Sequence, residues 1–166
     1  MECTLKDGEQ ILVRPIEPAD KAALAAGLAE LSDVSVQRRF LSPKPSFSAS
    51  ELRYLTEVDG QDHVAFVAET LRGRLVGVGR WVRLADDPTS AEAAIVVADP
   101  LQGLGLGSLL ADLLAQEAIR KDVRRFTATM LSDNLPAHRL MARLDSHLER
   151  RHVGLGADEM VVDLAA

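Results

Sequence analysis

The stretch with the clearest chemical potential is Gln102-Gly-Leu-Gly-Leu-Gly107, with glycine at every second position. Glycine lets a backbone turn tightly and approach a ligand with no Cβ in the way. The run from Leu106 to Lys121, rich in leucine and alanine, reads as a long helix beginning inside this loop. Its unpaired N–H groups and positive dipole end point back into the loop, and phosphate is the natural occupant of such a place. Three readings compete. The loop can be a tight connection that holds nothing. A dinucleotide loop wants G-x-G-x-x-G after the first strand of a parallel unit, whereas here the glycines are 103, 105 and 107 and come late in the chain. A Walker-type loop ends in G-K-[ST], and here Gly107 is followed directly by Ser108. Both nucleotide readings fail on context. A second signal is Glu92, set in Ala91-Glu-Ala-Ala-Ile-Val-Val97. A carboxylate in an otherwise apolar strand is awkward to bury without purpose. The alternative is a solvent-facing place at a strand end.

The surrounding elements must position these residues. Gln10 to Pro15 reads as a short strand stopped by proline. Pro18 to Leu31 is a helical run with Leu24, Leu28 and Leu31 on one face. Ser35 to Phe40 is a turn or short helix ended by Pro43 and Pro45, and Ser50 to Glu57 is a third short helix. After Asp59-Gly60 the period changes to that of strands: Val64 to Glu69, Arg74 to Leu84 and Ala91 to Val97. Arg72-Gly73 and Asp86-Asp87-Pro88 separate them, and such short connections favour antiparallel neighbours. Past the loop and its helix come a strand at Arg125 to Leu131, a helix at Leu135 to Leu144, and strands around Leu148 to Val153 and Glu159 to Asp163. The expectation is an α/β (α+β) fold: a mixed, mostly antiparallel twisted sheet of about seven strands flanked by helices, with residues 1–166 forming one domain.

Composition excludes several classes. Hydrophobic residues make up 47% and charged residues 27%, as in an ordinary folded domain. No apolar run approaches the roughly 18 residues of a membrane span. Met1 to Gln10 carries Glu2, Lys6, Asp7 and Glu9, so neither a signal peptide nor a membrane partner is expected, and the compartment read from this is the cytoplasm. Cys3 is the single cysteine, which leaves no internal disulfide and no metal cluster. A net charge of −6 disfavours nucleic acid as a partner and mildly suits a cationic substrate, although solubility alone accounts for it.

Gln102-x-x-Gly105-x-Gly107 resembles the Q/R-x-x-G-x-G/A signature of the GNAT (Gcn5-related N-acetyltransferase) superfamily. Val96-Val-Ala-Asp-Pro100 before it and Asn134-Leu-Pro-Ala137-His-Arg-Leu140 after it, similar to the family's N-x-x-A-x-x-L helix start, extend the resemblance over the chain. It implies acetyl-CoA as cosubstrate and no metal. The backbone amides from Gly103 through Leu104, Gly105, Leu106 and Gly107 to Ser108, with Gln102 ahead of them, would hold the coenzyme pyrophosphate. The main chain of Ile95, Val96 and Val97 would pair with the pantetheine arm as a pseudo-strand. Asn134 would meet the coenzyme from the far side, besides capping the helix that follows it.

Acetyl transfer to an amine needs the nitrogen lone pair, and a lysine-type amine has a pKa of about 10.4. A carboxylate near the thioester can take that proton. Glu92 is the candidate, as the resemblance also implies. Glu69 and Asp99 are weaker candidates, and Asp99 reads more readily as a turn residue before Pro100. Members of the family often carry a tyrosine general acid one residue after the leucine of N-x-x-A-x-x-L. Here that position is Met141, so the thiolate leaves without a dedicated acid or another donor such as Ser132 serves. The family's L-G-F after this helix is altered to Leu144-Asp-Ser146. The four histidines do not cluster and read as surface or packing residues, and Trp81 reads as core.

Arg38-Arg-Phe-Leu-Ser-Pro43, Asp62 to Glu69 and Val76 to Arg83 resemble the acetyltransferase domain of bacterial protein-lysine acetyltransferases, some of them joined to a cyclic-nucleotide-binding domain for which this chain has no room. The acceptor is thus an amine, on a protein lysine or a small molecule, and a homodimer is left open. The rival reading is a non-catalytic acyl-CoA sensor or interaction module, which keeps the glycine loop and has no use for Glu92.

Overall fold

The computed structural model describes residues 1–145 and 147–164. Its strands are β1 (Glu2–Thr4), β2 (Gln10–Pro15), β3 (His63–Thr70), β4 (Leu75–Arg83), β5 (Ser90–Val97), β6 (Arg125–Leu131), β7 (Leu148–Gly154) and β8 (Ala157–Asp163). Its helices are α1 (Lys21–Ala29), α2 (Asp33–Phe40), α3 (Ala49–Thr56), α4 (Leu106–Arg120) and α5 (Leu135–Leu144). The strands form one open sheet in the order β1-β2-β3-β4-β5-β6-β8-β7. Neighbours are antiparallel except β5 and β6, which run parallel.

The sheet has eight strands where about seven are expected from the sequence. The extra one is β1, three residues that turn back on β2 through Gly8 at φ 92°. Glu2-Cys-Thr4 is too short and too polar to show a strand period, so only pairing with β2 defines it. The helical run from Pro18 is also divided. A 3-10 turn, Pro18–Asp20, precedes α1, and the Asp20 carboxylate accepts from the Glu17 backbone N–H at 2.7 Å and from both ends of the Arg14 guanidinium. Ser146 of the altered segment after α5 lies outside the described residues.

Helices cover both faces of the sheet. Leu106, Leu110 and Leu114 of α4 are fully buried on one face, together with Ile11, Trp81, Phe126 and Met160. The approach of α4 is close because β4 presents Gly77 and Gly79 beneath it. A Cβ on Gly79 would lie 3.0 Å from Leu114 Cδ1, and one on Gly77 3.2 Å from Leu106 Cδ2. On the other face Leu24 packs over Ile16, Val67 and Val78, with Leu52 and Leu55 of α3 beside it. Both layers hold β5 rigidly at the centre of the sheet.

Candidate active site

The site begins where the sheet forks. β5 and β6 pair only at Ser90, Ala91 and Glu92, opposite Arg125, Phe126 and Thr127. Beyond that, residues 93–97 stay bonded to β4 on one edge, and residues 128–131 to β8 on theirs. The facing edges part, and backbone groups along β5 are left open to a third extended chain. A cavity of about 290 Å³ fills the fork, walled by Ile95, Ala128, Met130 and Met141 and closed from above by Phe40 and Leu41. A second cavity, of about 430 Å³, continues from it over the glycine loop. Both are lined by Arg38, Arg39, Ile95, Asn134, Ala137 and Leu140, so they form one continuous cleft.

The loop has the conformation its glycines allow. Gly103 lies at φ 77° and Gly105 at φ 104°, a region L side chains enter only with strain. Gly105 is the N-cap of α4, and among the described residues no side chain caps that helix, so its first amides line the cleft with their donors unused. Gly103, Gly105, Gly107 and Ser108 line the loop cavity, with Val96 and Val97 opposite. Leu104 and Leu106 turn inward to the core and contribute backbone only. Gln102 lines the cavity, yet its side-chain amide donates to the Val97 carbonyl and to Ser35 Oγ, each at 3.0 Å. Ser35 in turn donates to Asp99 at 2.8 Å, and Ser32 does so through its hydroxyl at 2.6 Å and its backbone at 3.0 Å. Burial pushes the Asp99 carboxyl up, but these hydrogen bonds outweigh it and hold it below its usual range. The network pins the start of α2 to the loop, which is how α2 comes to roof the fork.

Of the three carboxylates weighed as a base, two are engaged elsewhere. Asp99 holds the serines, and Glu69 accepts from Arg14 at 3.1 and 3.2 Å. Glu92 is exposed, lines the fork cavity at its narrow end, and has no hydrogen bond or ion pair among the described residues. Asn134 is buried and its Oδ1 accepts from the Ala137 N–H at 3.4 Å, so it caps α5 while lining both cavities. Met141 is buried in the cavity wall. Ser132 is not in the lining of either cavity. The hydroxyl that the fork does present is that of Thr129.

Sequence reasoning passed over the charges. Lys6, Arg38, Arg39 and Arg139 converge on the loop cavity from three separate segments, and none pairs its charged group with an acid among the described residues. This basic cleft sits in a chain of net charge −6. The adjacent Arg38 and Arg39 were the available signal. Only the fold brings Lys6 and Arg139 to them.

A mixed sheet forked between two parallel strands, opening onto an uncapped helix and a glycine loop, is the architecture of an acyltransferase. The chain belongs to the Acetyltransferase (GNAT) family, which residues 31–145 match. It is 35% identical over 159 residues to acetyltransferase Pat of Mycolicibacterium smegmatis, covering 95% of this chain and 47% of that protein. It is 32% identical over 144 residues to acetyltransferase PA5475 of Pseudomonas aeruginosa, covering 85% of this chain and 75% of that one. The chain therefore spans about half the length of the mycobacterial relative. Among solved structures, the GNAT domain of S. lividans PAT superposes with a TM-score of 0.87 at 29% identity, covering 99% of this chain and 96% of that one. The matched residues 31–145 include α2 in the roof of the fork, the glycine loop and α4.

Proposed function

We propose that the protein transfers the acetyl group of acetyl-CoA to a primary amine, a protein lysine among the acceptors, by direct attack with Glu92 as general base. The observation that carries this reading is the forked cleft, with unbonded amides and cations at one end and an unpaired carboxylate at the other. The amides of residues 103–108 and the cations of Lys6, Arg38 and Arg139 suit the coenzyme's phosphates. The open edge of β5 at Ile95, Val96 and Val97 suits the amide-bearing pantetheine arm, with Asn134 across from it. Gln102 serves the coenzyme by fixing the Val97 carbonyl and the loop.

In the reaction the amine nitrogen forms a bond to the acetyl carbon and the carbon–sulfur bond breaks. Glu92 takes the proton of the amine, directly or through water, and the sulfur leaves with the electron pair. A thiol's pKa of about 8.5 makes the thiolate a fair leaving group, so a buried Met141 in place of an acid is tolerable. Thr129 adds a hydrogen-bond donor in the same fork. The resemblance of Arg38 to Pro43, Asp62 to Glu69 and Val76 to Arg83 to bacterial protein-lysine acetyltransferases supports a protein acceptor, and the cAMP-binding acyltransferase from Mycobacterium smegmatis superposes with a TM-score of 0.71 at 29% identity over 100% of this chain and 47% of that one. We further propose that residues 1–166 act as one domain and that the protein works in the cytoplasm. Among the described residues no helix is long and apolar enough to cross a membrane.

The test is to incubate the protein with acetyl-CoA and a panel of amines and proteins and to follow free thiol release. Turnover of an amine supports the reading. Coenzyme binding with no turnover of any acceptor would favour the acyl-CoA sensor instead.

A further inference from the structure

Arg39 is the most unusual group in the cleft. It sits on α2 in the roof of the fork, half-buried, its guanidinium carbon 5.0 Å from the centre of the Phe40 ring. Among the described residues it makes no hydrogen bond and no ion pair. Burial holds its guanidinium below the usual arginine range, and Glu92, facing the same cavity, opposes that effect without forming an ion pair. A second cation lies behind it. Arg80 on β4 is directly opposite Ala94 on β5, and Glu92, two residues from Ala94, is on the same face of the sheet. Arg80 is buried, and it bonds the Leu55 carbonyl at 3.2 Å and the ring of His63 at 2.9 Å, neither of them an anion. Burial, then Arg80, pushes His63 down to about 4, so its ring is neutral and accepts from Arg80.

Arg39 and Glu92 therefore line the same end of the cleft, and among the described residues the Arg39 guanidinium has no acceptor of its own. Its donors reach the solvent of the cleft and are open to a ligand there. The coenzyme's phosphates already have Lys6, Arg38, Arg139 and the loop amides. Arg39 differs from those three cations in its coupling to Glu92 and Arg80 and in its stacking on Phe40, which lines the fork cavity and not the loop cavity.

We propose that the acceptor carries a carboxylate close to its reacting amine, and that Arg39 binds that carboxylate while Glu92 receives the amine. The proposal rests on the acetyl-transfer reading and narrows its acceptor class. A guanidinium binds a carboxylate through parallel N–H donors, which adds orientation to attraction. The same chemistry comes from two sources: a free amino acid, or an aspartate or glutamate beside a lysine in a protein.

The experiment uses matched pairs with the whole chain: phenylalanine against phenethylamine, lysine against cadaverine, and a glutamate-flanked lysine peptide against its alanine-flanked twin. For each, kcat/KM is measured by thiol release, and binding to the coenzyme A-loaded protein by calorimetry. The carboxylate member of at least one pair is expected to win by about 10- to 100-fold, chiefly in KM. Arg39→Gln should bring that ratio close to one, and Arg39→Lys should keep part of it. Preference within the amino-acid pairs identifies a small-molecule acceptor, and preference within the peptide pair a protein one. Equal handling of every pair by the unaltered protein overturns the proposal. So does an Arg39→Gln variant whose coenzyme affinity falls as far as its carboxylate preference, because Arg39 then serves the phosphates. If no amine is acetylated, the acetyl-transfer reading fails, while the calorimetric ratio still decides the carboxylate site.

Discussion

Glu92→Gln isolates the proton-transfer step proposed for that residue. The side chain is exposed and unbonded, so an isosteric amide should change stability by less than about 0.5 kcal/mol, and coenzyme affinity should hold because the loop cavity does not include this residue. The kinetic magnitude follows from the acceptor. An amine of pKa about 10.4 is neutral in about one molecule in 800 at pH 7.5. Without a base the reaction must draw on that fraction, which sets a loss of about 10²–10³-fold, within the range of general-base catalysis. Each pH unit upward enriches the neutral amine about tenfold, so the deficit should shrink by about tenfold per unit until pH 10 is neared. Stopped-assay thiol release at pH 7 to 9.5, with a verified acceptor and saturating acetyl-CoA, reads both quantities. A variant that turns over near the parental rate at pH 7.5, or a deficit that does not change with pH, would refute the assignment of Glu92 as the base.

Other outcomes follow from the same geometry. Gly107→Leu should keep the fold, since a Cβ there lies an ordinary 3.9 Å from Leu140 and Val97, but should abolish the rise in melting temperature that acetyl-CoA gives. Gly79→Val should cost about 1–3 kcal/mol and lower the melting temperature by several degrees, because the added side chain meets Leu114 and Leu110 of the closely packed α4. His63 sits neutral at about 4, so the unfolded chain binds its proton first as pH falls below about 6.5. Stability from this residue is present above pH 6.5 and should fall by about 2 kcal/mol by pH 5, a slope that urea titrations should find missing in His63→Gln.

The elements that carry a period were legible in the sequence. The strands around the fork, the long helix after the loop and α5 fall within a residue or two of where the pattern puts them. The antiparallel meander followed from turn signals alone. The fork did not, since nothing in Ala93-Ala-Ile-Val97 says that its neighbour will pair for three residues and then diverge. Strand β1 was invisible because three residues hold less than two periods. The glycine loop announced itself through residue type. The cations of the cleft did not, because Lys6 and Arg139 are ordinary surface charges until a hairpin and a helix bring them to one place. Asp99 read as a turn residue. Its serine partners lie 64 and 67 positions away, a separation no local pattern encodes.

That last contact limits how the molecule can be redesigned. The wall proposed to meet the acceptor, α2, is fastened to the glycine loop by Ser32 and Ser35 through Asp99 and Gln102. A transplanted α2 meant to change acceptor preference could vary Arg38 through Leu41 freely only if those two serines travelled with it. Without them Asp99 would lose two hydroxyl donors and the Gln102 amide one acceptor, and the defect would appear at the glycine-loop end of the cleft. In this chain a graft aimed at one substrate therefore has to be scored against both.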